Sequence, residues 1–167
     1  MRIKFLSKNF YISFLIVISI FIIDRISKIY VIFLEKKNNI SEIFLSKFLN
    51  IHLVWNEGIA FGLLSANDSN FYNILTFLII VIIIILFYMI TQSQGLQKYF
   101  LFMILGGAIG NVFDRILYKS VPDFIDFHIN EFHWFIFNVA DIFITIGVIC
   151  MILTELIANN KNKHEDI

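Results

Sequence analysis

The sequence predicts an all-α membrane protein built on four transmembrane helices, and three observations carry that expectation. Hydrophobic residues make up 59% of the 167-residue chain and mean hydropathy is +0.81, whereas ordinary soluble domains are about half apolar. Four apolar runs, residues 11–34, 70–90, 99–118 and 136–157, each match the ~20 residues a helix needs to cross a ~30 Å hydrocarbon core. Only one proline is present, so the runs lack the strongest helix breaker. The chain reads as a single integral membrane domain over residues 1–167, without repeats or low-complexity linkers.

The first run follows Arg2, Lys4 and Lys8, as a signal peptide would. Asp24, Arg25 and Lys28 stand where a short apolar core should end, and no small-residue cleavage pattern follows, so the segment is expected to be retained. The loop at 35–69 contains IHLVW ended by NEG, a short strand and turn. The second run has no charge, and a short connection bearing Lys98 leads to the third. There Gly106 and Gly110 form a small-xxx-small surface suited to close helix contact. The fourth opens with FNVAD, and the Phe and Trp residues of 132–137 read as an interfacial aromatic belt. Arg2, Lys4, Lys8, Lys98, Lys161 and Lys163 on one side outnumber Lys36, Lys37, Lys47 and Lys119 on the other. The bias predicts cytoplasmic termini and an external 35–69 loop.

Composition excludes several classes. The 13 basic and 13 acidic residues balance, so no basic field points to nucleic acid. Cys150 is the sole cysteine, which excludes an internal disulfide and a cysteine metal cluster. His52, His128 and His133 lack an HExxH frame or a companion cysteine, and no metal is expected from them.

The intramembrane polar residues carry the functional signal, because a charge near hydrocarbon is costly unless it faces protein or water. At ~1.5 Å per residue, Asp24 and Lys28 lie roughly 20 Å or more above the inner surface, Asn111 about 18 Å and Arg115 about 24 Å. Asn138 and Asp141 enter the fourth run from outside and meet them in one outer layer. Gly107, Asn111 and Arg115 share a helical stripe. Asp24 and Lys28, four apart, fit a buried ion pair that locks register. Asn111 and Arg115 suit either a helix tie or a substrate contact, and Asp114 suits a structural salt bridge while rivalling any catalytic carboxylate. Asn138 and Asp141 have the spacing of a helix cap. Asn56 and Glu57 fit a turn, and Asp126 reads as a solvated loop carboxylate. Asp123 and Asp141, at the outer ends of spans, suggest acid/base chemistry.

Five stretches in order, DRISK, NEGIAFG, GGAIGNVFDR, VPDFIDFH and FNVAD, resemble the motifs of the type II lipoprotein signal peptidases, bacterial intramembrane aspartyl proteases. The resemblance implies removal of signal peptides from prolipoproteins by cleavage before a lipid-modified cysteine, without a cofactor. It implies Asp123 and Asp141 as the catalytic pair, with Asp24, Lys28, Asn56, Asn111, Arg115, Asn138 and Ala140 shaping or supporting the site; Gly107 and Asp114 join them as candidates. It further implies a small β-like cradle and a short mobile helix within 35–69. The expected partners are lipid-modified prolipoproteins and membrane lipid, the expected state a monomer, and the expected place the bacterial cytoplasmic membrane. A proton-coupled transporter using Asp24, Lys28, Asp114, Arg115 and Asp141 is the competing class. The nearly apolar inner half of every run argues against a relay across the full thickness, and a passive scaffold leaves Asp123 and Asp141 unexplained.

Overall fold

The computed structural model describes residues 8–38, 42–58, 69–130 and 132–165, with side chains described at 11–37, 42–58, 73–130 and 132–157. Among the described residues four helices are present: α1 (Lys8–Asn38), α2 (Ser69–Gln92), α3 (Gly95–Tyr118) and α4 (Val139–Glu165). Three of them are long and apolar enough to cross a membrane, at Asn73–Gln92, Gly95–Tyr118 and Val139–Ile157. The first has the length, 31 residues, but holds Asp24, Arg25 and Lys28 in its C-terminal half.

The expected helical fold with a small β-like cradle holds in part, and the sheet reaches beyond the segment expected to supply it. Four strands, β1 (Glu42–Ser46), β2 (Leu49–Asn56), β3 (Val121–Ile129) and β4 (Phe132–Phe137), form one antiparallel sheet in the order β1-β2-β3-β4. The 35–69 segment supplies only half of it. VPDFIDFH is the third strand: Pro122 fixes its own φ and biases Val121 to extended backbone, and β2 pairs along it with Val54 opposite Asp123. FHWFIF, read as an aromatic belt running into the fourth span, is the fourth strand, paired back to β3 through a turn at Asn130 in the left-handed region (φ 54°). The fourth helix therefore begins at Val139 rather than at 136. The expected short external helix would lie in 59–68, outside the described residues.

Helix ends follow local chemistry. Gly95 takes a positive φ of 60° between α2 and α3, a conformation that costs glycine little. α3 ends where Lys119 turns left-handed and its N–H bonds back to the Arg115 carbonyl at 3.1 Å. Two apolar clusters hold the helices and sheet together. Leu86 and Ile90 of α2 pack with Leu101, Ile104 and Leu105 of α3. Val31, Leu53 and Phe124 join the C-terminal end of α1 to β2 and β3. The second cluster, at the sheet, fixes the strand that bears Asp123, and removing its side chains from water contributes roughly 1.5–3 kcal/mol each.

Candidate active site

The site begins with close helix contact. A Cβ on Gly107 would lie 2.5 Å from the Ala140 carbonyl oxygen, and one on Gly110 would lie 2.8 Å from Asp24 Oδ2. Gly106 meets Ile20 of α1 in the same way, at 3.1 Å. The three glycines let α3 lie against α1 and α4 at once. Polar side chains next to them come within hydrogen-bonding range across three helices.

The innermost part is a cluster of four buried charges. Lys28 Nζ lies 2.9 Å from Asp24 Oδ2 and 2.6 Å from Asp114 Oδ2. Arg25 lies 3.2 Å from Asp24 and 2.5 Å from Asp114, its guanidinium over the Phe113 ring. Two cations offset two anions here, which is how charges persist away from water. The cluster faces two ways. Asp24 Oδ1 accepts the backbone N–H of fully buried Ala140 at 3.0 Å, tying the start of α4 to α1. Lys28 also donates to Asn111 Oδ1 at 3.0 Å.

Asn111 passes this order outward. Its Nδ2 donates to Asp141 Oδ1 at 2.8 Å, while its Oδ1 also accepts Asn138 Nδ2 at 3.2 Å. Asn138 and Asp141 cap α4 reciprocally: the Asp141 N–H reaches Asn138 Oδ1 and the Asn138 N–H reaches Asp141 Oδ2, both at 3.1 Å. The cap and the site are one structure. With its carbonyl held by that cap, Asn138 aims Nδ2 at Asp123 Oδ1, 2.6 Å away.

Asp123 arrives on β3, 4% exposed, and its other oxygen accepts Asn56 Nδ2 at 2.9 Å. Asn56 is itself oriented, since its Oδ1 accepts the Gly58 N–H at 3.0 Å. Arg115 reaches the Gly58 carbonyl at 3.4 Å and the Asn111 carbonyl at 3.5 Å. Burial raises the Asp123 carboxyl from an ordinary 3.8 to about 6, against the hydrogen bonds from Asn56 and Asn138 that lower it; the Asp141 charge adds to the rise.

Asp24, Lys28, Asn56, Gly107, Asn111, Asp114, Arg115, Asn138 and Ala140 thus all lie in one network around Asp123 and Asp141. Asp114 sits on its cationic side, among Lys28 and Arg25, and the recorded partners of Asp123 and Asp141 are amides. Arg25 was missed, though its place in DRISK beside Asp24 offered the signal. Asp126 departs from its reading as a solvated carboxylate: it is fully buried, with Oδ2 2.7 Å from His133 Nδ1. Strand pairing turns it inward and brings the histidine across the hairpin.

Comparison with known proteins assigns the chain. Residues 16–157 match the profile of the family described as Signal peptidase (SPase) II. The chain belongs to the signal peptidase II family. It is 51% identical over 158 residues to the lipoprotein signal peptidase of Pelagibacter ubique (strain HTCC1062), with 95% of each chain covered. Identity to the lipoprotein signal peptidase of Anaplasma marginale (strain Florida) is 36%, covering 87% of this chain and 84% of that relative. A solved bacterial membrane enzyme, determined by the in meso method at 2.3 Å, has a similar fold, with a TM-score of 0.69, 32% identity and 90% of each chain covered. A second such structure, at 1.9 Å, gives a TM-score of 0.65 at 35% identity, covering 86% of this chain and 92% of that one. The family and the apolar helices together identify a membrane-embedded peptidase.

Proposed function

We propose that this signal peptidase II family member is an aspartyl endopeptidase that removes signal peptides from prolipoproteins, cleaving before the diacylglyceryl-modified cysteine with Asp123 and Asp141 as the catalytic pair. The observation that carries the reading is the joint hold of Asn138 on both carboxylates, which brings two acids together beside a neutral amide frame. Two such groups resist losing both protons, so the pair keeps one and presents an acid and a base together. The ionised carboxylate takes a proton from water as it attacks the scissile carbonyl. The protonated one hydrogen-bonds to the carbonyl oxygen, and the departing amine receives a proton from the pair. Asn56, Asn111 and Asn138 hold the carboxylates by donating to them without adding charge.

The charge cluster of α1 and α3 supports the framework from behind, and Lys28 connects it to Asn111. α1 spans the membrane as the fourth transmembrane helix, its charges shielded by α3. The protein sits in the bacterial cytoplasmic membrane as a monomer with both termini inside and the carboxylate pair near the outer face, where a signal peptide inserted basic end inward presents its cleavage site. Reporter fusions at residues 45 and 126 should read external, and fusions at residue 95 and both termini cytoplasmic.

The decisive experiment incubates purified protein in detergent with a diacylglyceryl-modified prolipoprotein and identifies the product by mass spectrometry. A new N-terminus at the modified cysteine is expected. Failure to cut the lipidated precursor, or equal cutting of the unlipidated one, overturns the assignment.

A further inference from the structure

We propose that Asp126, His128 and His133 form a binding site for a divalent transition-metal ion of the zinc class on the β-sheet, separate from the carboxylate pair. The three side chains come together because strand alternation puts Asp126 and His128 on the same buried face of β3, and a register shift after the Phe127–Phe135 pair leaves Trp134 unpaired on β4 and sets His133 opposite His128. One donor atom from each lies within 4.8 Å of those of the other two. Asp126 Oδ2 is 2.7 Å from His133 Nδ1 and 3.7 Å from His128 Nδ1. Ligands around a tetrahedral zinc with ~2.1 Å bonds stand about 3.4 Å apart, so small side-chain rotations convert this cluster into a coordination set.

A hydrogen-bonded histidine–carboxylate pair alone does not account for the rest of the cluster. Among the described residues, Asp126 Oδ1 and His128 Nδ1 are buried side-chain atoms without a hydrogen-bond partner. Asn50, the cross-strand partner of Asp126 on β2, carries a third such atom, Oδ1; its amide nitrogen is taken by Glu42. Buried polar atoms without partners are costly, and three on two paired strands, two of them on the proposed ligands themselves, call for a ligand. One carboxylate and two imidazoles suit zinc and its first-row neighbours better than calcium or magnesium, which prefer all-oxygen shells. The ion has a way in, because the His133 side chain is 48% exposed while Asp126 and His128 are buried.

Asp126 follows Asp123 by three strand residues, roughly 10 Å of extended chain. A metal here stiffens the hairpin that carries Asp123 and takes no part in proton transfer. Its ligands are neutral imidazoles and an ionised carboxylate, so binding weakens in acid.

The test uses the full chain, purified in detergent without a histidine tag, stripped with a chelator and titrated with Zn²⁺ or with Co²⁺, whose visible absorption reports tetrahedral nitrogen and oxygen ligands. About one equivalent of Zn²⁺ should remain after dialysis, with a rise in thermal unfolding temperature. Asp126→Asn, His128→Gln and His133→Gln should each weaken binding at least tenfold, and His52→Gln should not. His133 is half exposed and Gln keeps an N–H donor for buried Asp126, so His133→Gln is expected to lose metal while still cleaving prolipoprotein. Substoichiometric zinc on the wild-type protein, or stoichiometric zinc that survives all three substitutions, overturns the proposal and leaves cleavage by the aspartate pair untouched.

Discussion

Helices α2 and α3 are each 24 residues long and each apolar enough to cross a membrane, yet they are used in opposite ways. α2 bears no charged side chain, and 11% of its membrane window lies inside the protein. α3 holds Asn111, Asp114 and Arg115, and 50% of its window is inside. The more polar helix is the central one. In water the apolar face turns inward, but lipid tails are as apolar as leucine, so burying Ile or Leu gains little there. A carboxylate or an amide gains much from protein neighbours, which draws the helix carrying them to the middle. Position in this molecule is thus set by polar groups, and packing follows.

That contrast can be tested by substitutions of decreasing weight. Asp123→Asn and Asp141→Asn should each lower prolipoprotein cleavage by about 10³-fold or more with the protein still folded and inserted, since an amide neither takes up nor supplies the proton. A single-turnover gel assay beside a detergent-solution unfolding curve separates the two effects. Next comes Lys28→Met, which among the described residues leaves Arg25 as the one cation paired with Asp24 and Asp114. Removing one partner of a buried pair costs about 3–5 kcal/mol, so a marked fall in unfolding temperature is expected. If this variant unfolds like wild type, polar groups do not set the position of α3.

Asp123 offers a test by pH. Between 3.8 and about 6 its folded carboxyl binds more proton than the unfolded one, so stability falls as pH rises through that window, and above it the full penalty remains without growing. Asp123→Asn should accordingly be more stable than wild type at pH 8, by up to about 3 kcal/mol, with the gain gone below about pH 4. A variant less stable than wild type at pH 8 would contradict this. Gly107→Ala puts a methyl where the Ala140 carbonyl lies. It should cost about 1–3 kcal/mol and, by displacing α4, lower turnover more than substrate affinity. The smallest effect belongs to the other helix: Ile84→Leu, at a position 62% exposed, should change neither stability nor cleavage beyond about 0.5 kcal/mol.

The helices and the polar layer were legible because both are written in local periodicity: Gly107, Asn111 and Arg115 at every fourth residue, Asn138 and Asp141 at cap spacing. The motifs DRISK through FNVAD carried the family as well. The sheet was harder to see. β3 pairs with β2, some 70 residues earlier in the chain, and no local pattern records such a partner. FHWFIF is an apolar run that abuts an apolar span, and periodicity cannot separate a strand there from the first turn of a helix. Asp126 was misjudged for the same reason, because only strand register reveals that it points inward with His128 and His133 close by. A hairpin reading of the four residues between those histidines, turning at Asn130, would have found the cluster.

The sheet joins strands from two distant stretches of chain, which divides the molecule at the α2–α3 turn into two complementary pieces. The leading piece holds Asp24, Lys28 and Asn56; the trailing piece holds both carboxylates with Asn111, Asp114 and Asn138. Apart from the turn itself, the described ties between them are noncovalent, among them β2 zipped to β3, Lys28 on Asp114 and Asn111, Asp24 on the Ala140 N–H, and Asn56 on Asp123. A gene cut at Gly95 should therefore yield two fragments that are inert apart and regain peptidase activity when made in the same membrane, a split enzyme whose reassembly could report on proximity of whatever is fused to its halves.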